Sequence, residues 1–314
     1  MKDLNKRIIR ELKAHFGRYL ALFFMITLGM YLVVSIAGMA ETTIAGTNDY
    51  NKECNLQDGQ FTVFSPLSDE QLSDLSKEYG QIEGIFSVDV AFGIDDDKDK
   101  QGKVLRVFKK RAVMNLLHLD EGRFPESDGE IVIMNLFADR NKLEVGDEIV
   151  LTGKKYTVSG IGCVPDYNLP VKNFSDMTSD PENFGIALVT EKTYELLKNS
   201  KDSAVEDYTY AYKLKDSSSL SKKEAESRAR ELKNEIRNME PDTLTGMPKL
   251  SGFYENKDNP RIASDAASDV ILKRLVSLVA GAILVMLFAY VISVFIIHQI
   301  NEESSVIGTL YVWE

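Results

Sequence analysis

YLALFFMITLGMYLVVSIAGMA, Tyr19 to Ala40, is a run of 22 residues without a single charge. At 1.5 Å of rise per residue, a helix of that length reaches across a hydrocarbon core of roughly 30 Å. A second run of the same kind, LVSLVAGAILVMLFAYVISVFII, occupies Leu275 to Ile297. The residues between the two are soluble in character. The chain therefore reads as a membrane protein in which two transmembrane helices flank a large extracytoplasmic mixed α/β domain.

Charge is segregated in the same way. Before Tyr19 stand Lys2, Lys6, Arg7, Arg10, Lys13 and Arg18 against Asp3 and Glu11, a net of +4. Against the −11 of the whole chain, that +4 and a net −1 from Lys273 onward leave −14 for residues 41–272. A basic flank and an acidic domain on opposite sides of a span place the N-terminus in the cytoplasm. Lys273 and Arg274, at the outer end of the second span, oppose that orientation but are outnumbered. The small residues at Gly38-Met39-Ala40 raise the alternative of a cleaved signal peptide. The apolar stretch is much longer than the usual hydrophobic region of such a signal, which favours a retained helix. So acidic a domain is unsuited to nucleic acid, whose phosphates call for Lys and Arg. Cys54 and Cys163 both fall in it, where a disulfide is permitted but not required, the alternative being two buried thiols.

Residues 1–18 are expected to form a cytoplasmic amphipathic helix at the interface. Leu4, Ile8, Ile9, Leu12 and Phe16 share one face, and the bases lie near anionic membrane lipid. The first span is then 19–40, the external domain with its stalks 41–272, the second span 273–299, and a cytoplasmic segment 300–314. Within the domain, Gln60–Phe64, Ile82–Ile94, Lys103–Lys109, Glu130–Met134, Glu148–Thr152, Tyr156–Ile161, Gly185–Val189 and Val205–Leu214 read as strands. Capping boxes at Ser68–Gln71 and Ser221–Glu224 open helices, and Thr190 caps another. Gly146-Asp147 and Gly153-Lys154 look like hairpin connections. The run Asp95–Asp99 has aspartates at alternate positions, but Lys100 and Arg106 replace the glycine and glutamate of a calcium loop, so a solvated hairpin tip is expected. From Ser264 a helical pattern runs unbroken into the second span. There Ser277, Gly281, Ala289 and Ser293 lie on a four-residue lattice, interrupted by Val285, that suits close approach of another helix.

No catalytic set is visible. His15, His118 and His298 are too separated to cooperate, no acidic pair is marked out, and no glycine run has nucleotide-loop spacing. The chain is read as no enzyme, with no cofactor or metal of its own.

The stretch EESSVIGTLYVWE after the second span resembles the glutamate, isoleucine–glycine, leucine pattern that follows the second membrane helix of FtsX-like and MacB-like ABC transporter permeases. The run GRFPESDGEIVI, with VGDEIVL and YTVSGI after it, is similar to the core of that family's external domain. The resemblance implies a MacB-like periplasmic core and a permease subunit worked by a separate cytoplasmic ABC ATPase, which would hold the ATP and magnesium. It implies that Glu303, Ser304, Ile307, Gly308 and Leu310 couple to that ATPase, with Ser305 and Thr309 alongside, in a homodimer or beside a second permease. Trp313-Glu314 departs from the family's small residue and glycine. The further membrane helices usual in the family imply either the N-terminal part of a longer permease or a two-span relic. The competing expectation is a membrane-anchored sensor or scaffold that binds an external peptide, lipid or antibiotic without transport.

Overall fold

The computed structural model of the chain describes residues 13, 16–93, 102–176, 178–201, 203–241, 246, 248–262 and 265–311. Most of the expected interfacial helix and the acidic run Asp95–Asp99 lie outside these residues, as do Trp313 and Glu314. Two compact units are present: Met1–Thr47 with Ala266–Glu314, and Asn48–Asp265.

Among the described residues the first element is α1 (Phe16–Glu53), 38 residues in which the first apolar run and the polar stretch after it form one helix. The large unit then follows as β1 (Gly59–Val63), α2 (Asp69–Tyr79), β2 (Gly80–Gly84), β3 (Ser87–Gly93), β4 (Val104–Lys109) and β5 (His118–Gly122). Next come β6 (Glu130–Met134), α3 (Asn135–Asn141), β7 (Glu148–Leu151), β8 (Lys154–Cys163) and β9 (Phe184–Val189). It closes with α4 (Glu191–Lys198), β10 (Tyr208–Leu214), α5 (Lys222–Asn238) and β11 (Leu250–Glu255). The last element is α6 (Asp265–Tyr311).

Two sheets divide this unit into lobes. In the first, β11, β1, β10 and β2 lie side by side, all antiparallel. Helices α2 and α5 cover one face, each opened by the capping box expected from sequence. α5 is highly charged and buries only Ala229, Leu232 and Ile236, a stripe at helical spacing against Phe61, Tyr210 and Tyr212. Each such fully buried Leu or Ile contributes about 1.5–3 kcal/mol, so packing and not propensity holds this helix in place.

The second lobe is built on the order β5-β8-β6-β9-β4-β3-β7, and β7 also pairs with β8, which closes six of the strands into a barrel. β9 (FGIALV) is buried at every position, parallel to β4 and antiparallel to β6. A strand covered on both faces loses its alternation, which is why it reads as a continuous apolar run. One core, with Val90, Phe92, Leu105, Ile131, Val158 and Val189, fills the interior. A second, with Phe108, Val132, Val164, Tyr167 and Ile186, lies on the other face. Phe86 packs against the cores of both lobes, edge-on to Tyr208 and Tyr210.

The hairpin expected at Gly153 is present. Thr152 and Gly153 both have positive φ, the two-residue turn whose twist matches the strands it joins. Gly146-Asp147 is not a hairpin. β6 runs into α3, and Gly146-Asp147 connects that helix to β7. The seven-residue α3 is too short to leave a resolvable period, and a helix between two strands makes a parallel or remote pairing, not a hairpin.

The GRFPESDGE stretch forms a loop closed by its own ends. Arg123 donates to both carboxylate oxygens of Glu130, at 2.5 and 2.9 Å, and the Glu126 and Ser127 amides donate to the same carboxylate. The Arg123 bond, joined by these amides, holds the Glu130 carboxyl down to about 2. A depressed carboxylate stabilises above its unfolded value and loses that contribution as pH falls. The loop is therefore expected to stay closed down to about pH 4.5 and to open toward pH 2. Carboxyl carbon shifts should give a Glu130 midpoint near 2 that returns toward 4.5 in Arg123→Ala; an unchanged midpoint in the variant removes Arg123 as the cause.

α6 runs 47 residues without a break. Its segment Leu278–His298 is long and apolar enough to cross a membrane, whereas the apolar segment of α1, Tyr19–Ser35, is shorter. The two helices run antiparallel: Tyr19 meets Phe295, the Gly29 position faces the Phe288 ring, and Val33 lies against Gly281.

Candidate functional site

The chain joins the large unit to α1 and α6 through two short segments, and one buried polar network holds both. Asn55, two residues beyond the end of α1, takes the left-handed conformation (φ 48°), and its N–H donates to the Lys52 carbonyl. The Asn55 side-chain amide donates to the Val113 carbonyl at 2.7 Å, and its oxygen accepts from Lys213 at 2.7 Å. Gln57 and Asn115 then bond reciprocally. The Gln57 backbone N–H donates to Asn115 Oδ1 at 3.0 Å, and Asn115 Nδ2 donates to Gln57 Oε1 at 2.7 Å. Asn115 is itself left-handed (φ 51°), and its N–H donates to the Asn55 carbonyl at 3.1 Å.

The return segment joins the same set. Gln57 Nε2 and Asn259 Nδ2 both donate to Gln60 Oε1, at 3.1 and 3.0 Å. Asn256 donates from its side chain to the Gln57 carbonyl and from its backbone to the Asp58 carbonyl. Asn259 Oδ1 accepts from the Arg261 amide at 3.0 Å. Gln57, Gln60, Asn115 and Asn259 are each at most 3% exposed. Amides with so little water must find partners in the protein, and these four find them largely in one another, while Asn256 Oδ1 is buried without a hydrogen bond.

Cationic side chains extend the network into the barrel lobe. Arg111 and Asp166 form an ion pair at 2.5 Å with side chains 2% and 1% exposed, and Arg111 also donates to the Asn115 carbonyl at 3.3 Å. Arg261 lies between the rings of Tyr167 and Phe174, 4.7 and 4.4 Å from their centroids, and donates to the Val171 and Lys172 carbonyls. Burial lowers its pKa from the ordinary guanidinium value. Phe174 in turn stacks on Tyr254 of β11 at 4.2 Å. The residue that leads to α6 is thus clamped by both lobes.

Beside this node lie Tyr50, Cys54 and Cys163. Both cysteines are free thiols. Burial pushes Cys54 up to about 11 and raises Cys163 as well, so neither is a thiolate at neutral pH. His118 stands on β5, half exposed, with Nδ1 3.8 Å from Glu53 and its ring edge-on to Tyr50. Among the described residues no group of three or more His, Cys, Asp or Glu is placed to hold a metal.

The residues expected from sequence to couple, Glu303, Ser304, Ile307, Gly308 and Leu310, lie in the last turns of α6. That segment is continuous with the apolar helix: no proline interrupts His298–Tyr311, and Gly308 is accommodated within the helix. Of the four residues expected at a helix contact, Gly281 is within reach of Val33, at 3.5 Å from an ideal Cβ. Ala289 lines the groove between the helices. Ser293 is exposed and donates back to the Ala289 carbonyl at 2.7 Å, and Ser277 lies on the same helix.

Sequence reading missed Gly29. It is buried, and a Cβ there would collide with the Phe288 ring. A lone glycine costs a helix about 1 kcal/mol relative to alanine, and that cost was its available signal. Gly29→Leu is expected to destabilise the helix pair by about 1–3 kcal/mol through overpacking. Adding Phe288→Ala should recover most of the loss in a thermal scan of the solubilised protein. Additive losses would mean that the two positions do not meet.

Comparison with known proteins gives distant structural similarities. No family model and no curated protein matches the chain. The periplasmic region of MacB from Actinobacillus actinomycetemcomitans is similar at 14% identity with a TM-score of 0.34, over 63% of this chain and 87% of that one. The extracellular domain of the noncanonic ABC-type transporter YknZ from Gram-positive bacteria is similar at 16% identity with a TM-score of 0.32, over 57% of this chain and 94% of that one.

Proposed function

We propose that the chain is the permease subunit of a bacterial ABC transporter or mechanotransmission complex. It sits in the cell membrane with α1 and α6 as its spans and the large unit outside. A separate cytoplasmic ATPase, holding ATP and magnesium, acts on the end of α6 through Glu303, Ser304, Ile307, Gly308 and Leu310. The subunit works as a homodimer or beside a second permease.

One observation carries this reading. The segment after α1 and the segment before α6 are locked into a single buried amide network that also touches both lobes. Motion of either helix relative to the other must therefore strain or rearrange the large unit. α6 adds to this by running unbroken to Tyr311, so displacement at its last turns is delivered along a stiff rod. The motor has only to bind one arrangement of the helix ends better than the other.

The test is reconstitution of the full-length protein with its cognate ATPase. Gly308 is the position at which a side chain would keep another surface away. Gly308→Leu is expected to leave insertion and the circular dichroism of the large unit unchanged. It should also reduce stimulation of ATP hydrolysis by at least about tenfold, the effect of losing about 1.4 kcal/mol of coupling. Failure of the unmodified protein to bind or stimulate the ATPase would remove the reading. Stimulation unchanged by the substitution would remove Gly308 from the contact.

A further inference from the structure

Cys54, Cys163 and Tyr50 are buried or half-buried groups that take no part in the amide network. Cys54 directly follows α1, and its carbonyl accepts from the Leu116 amide at 2.8 Å. Two residues further on, His118 stands opposite Cys163 in the antiparallel β5–β8 ladder. Cα atoms paired in that way are about 4.5–5.5 Å apart. Tyr50 lies one helical turn before Cys54, whose N–H donates to the Tyr50 carbonyl at 2.9 Å, and its ring is edge-on to His118 at 5.9 Å. The Tyr50 side chain is close enough to interact with both thiols. Cys54 and Cys163 therefore flank one tyrosine.

Two features let the sulfurs come together. The Tyr50 hydroxyl is buried without a hydrogen-bond partner, so turning the ring aside breaks no hydrogen bond. Cys163 lines a cleft of about 250 Å³ with Met134, Tyr167, Pro170 and Phe184, which gives a reagent a way in. Cys54 is 2% exposed and depends on Cys163 for access.

We propose that Cys54 and Cys163 form a reversible intramolecular disulfide, by exchange with a low-molecular-weight disulfide, that fastens the end of α1 to the end of β8. Cys163 loses its proton, and its sulfur attacks one sulfur of the reagent. The reagent S–S bond breaks, and the departing thiolate takes up a proton. Cys54 then loses its proton and attacks the Cys163 sulfur of the mixed disulfide, releasing the second reagent thiol. The protein gives up two hydrogens with their electrons, and one reagent disulfide becomes two thiols. Because burial raises both cysteines, exchange is slow at neutral pH and speeds up with the thiolate fraction as pH rises. The bridge closes a loop of about 110 residues, long enough to restrict the unfolded chain strongly.

The experiment treats the full-length chain with oxidised glutathione at a series of pH values, alkylates remaining thiols and measures intact mass. Expected is a monomer lighter by two hydrogens with no alkylation, formed about tenfold faster per pH unit below the thiol pKa. Peptide mapping should join Cys54 to Cys163. The oxidised protein should melt at a higher temperature than the reduced one, and a reducing dithiol should reverse both changes. Cys54→Ser should stop at a glutathione adduct on Cys163 and show no rise in melting temperature. Two alkylated thiols, a persistent adduct on the unmodified protein, a disulfide-linked dimer, or equal melting temperatures would each overturn the bridge.

Discussion

Arg111→Leu is expected to lower the stability of the large unit by about 3–5 kcal/mol, because it leaves the Asp166 carboxylate buried and uncompensated. Asp166 is 1% exposed, and its bonded oxygen has Arg111 as its ion-pair partner at 2.5 Å. In a unit of this size each kcal/mol moves the melting temperature by about 2–4 °C, so the transition should fall by on the order of 6–20 °C. The pair also links the strand-to-loop segment after β4 to the turn after β8, so the loss should spread through the barrel lobe. Replacing both partners with leucine removes the desolvated charges together and should return stability to within about 2 kcal/mol of the unmodified protein. Chemical denaturation of the three forms decides the matter. If the double variant is as unstable as Arg111→Leu, the guanidinium stabilises the lobe mainly by packing on the Phe108 ring, 4.4 Å away, and not by neutralising Asp166.

The second large effect is at Asn115. Alanine there removes the acceptor for the Gln57 N–H and the donor for Gln57 Oε1, both fully desolvated. Each orphaned group costs about 1–3 kcal/mol. Alanine also has to adopt φ 51°, which adds about 1–2 kcal/mol. The expected total is about 3–8 kcal/mol, measured as a shift in denaturation midpoint at constant slope. Asn115→Gly separates the parts, since it relieves the backbone and leaves the amides orphaned. It should recover only about 1–2 kcal/mol. Full recovery by glycine would show that the network holds by conformation alone. The same substitution bears on function, because Asn115 joins the end of α1 to the loop that holds Arg111. A loosened node should weaken any response of the large unit to helix motion.

Much of the secondary structure was legible from residues alone. Ser68 with Gln71, and Ser221 with Glu224, announce helix starts because each side chain satisfies the other's backbone N–H over three residues. β6, β7 and β9 were legible because short β-branched runs bounded by glycine have few other uses. Three elements were not. α3 is too short to display a period, and β5 (HLDEG) is polar because it forms an edge of its sheet. β11 carries Gly252 and no fully buried residue, so neither composition nor alternation marks it.

The node was invisible for a different reason. Gln57, Gln60, Asn115 and Asn259 are the same residue types that populate exposed loops, and their burial depends on partners up to 199 positions away. Arg111 and Asp166 likewise resemble surface charges until the turn after β8 brings them together. By itself the sequence determined the two long apolar runs, the segregation of charge, the capped helices and the apolar central strands. Each of these follows from interactions within a few residues or from the cost of exposing apolar surface to water. Only the tertiary structure decided which amides lose their water, that the polar stretch after the first apolar run stays helical to Glu53, and that both connections to the helices share one network. Desolvation belongs to a position in space, and a linear pattern does not encode it until the chain has closed on itself.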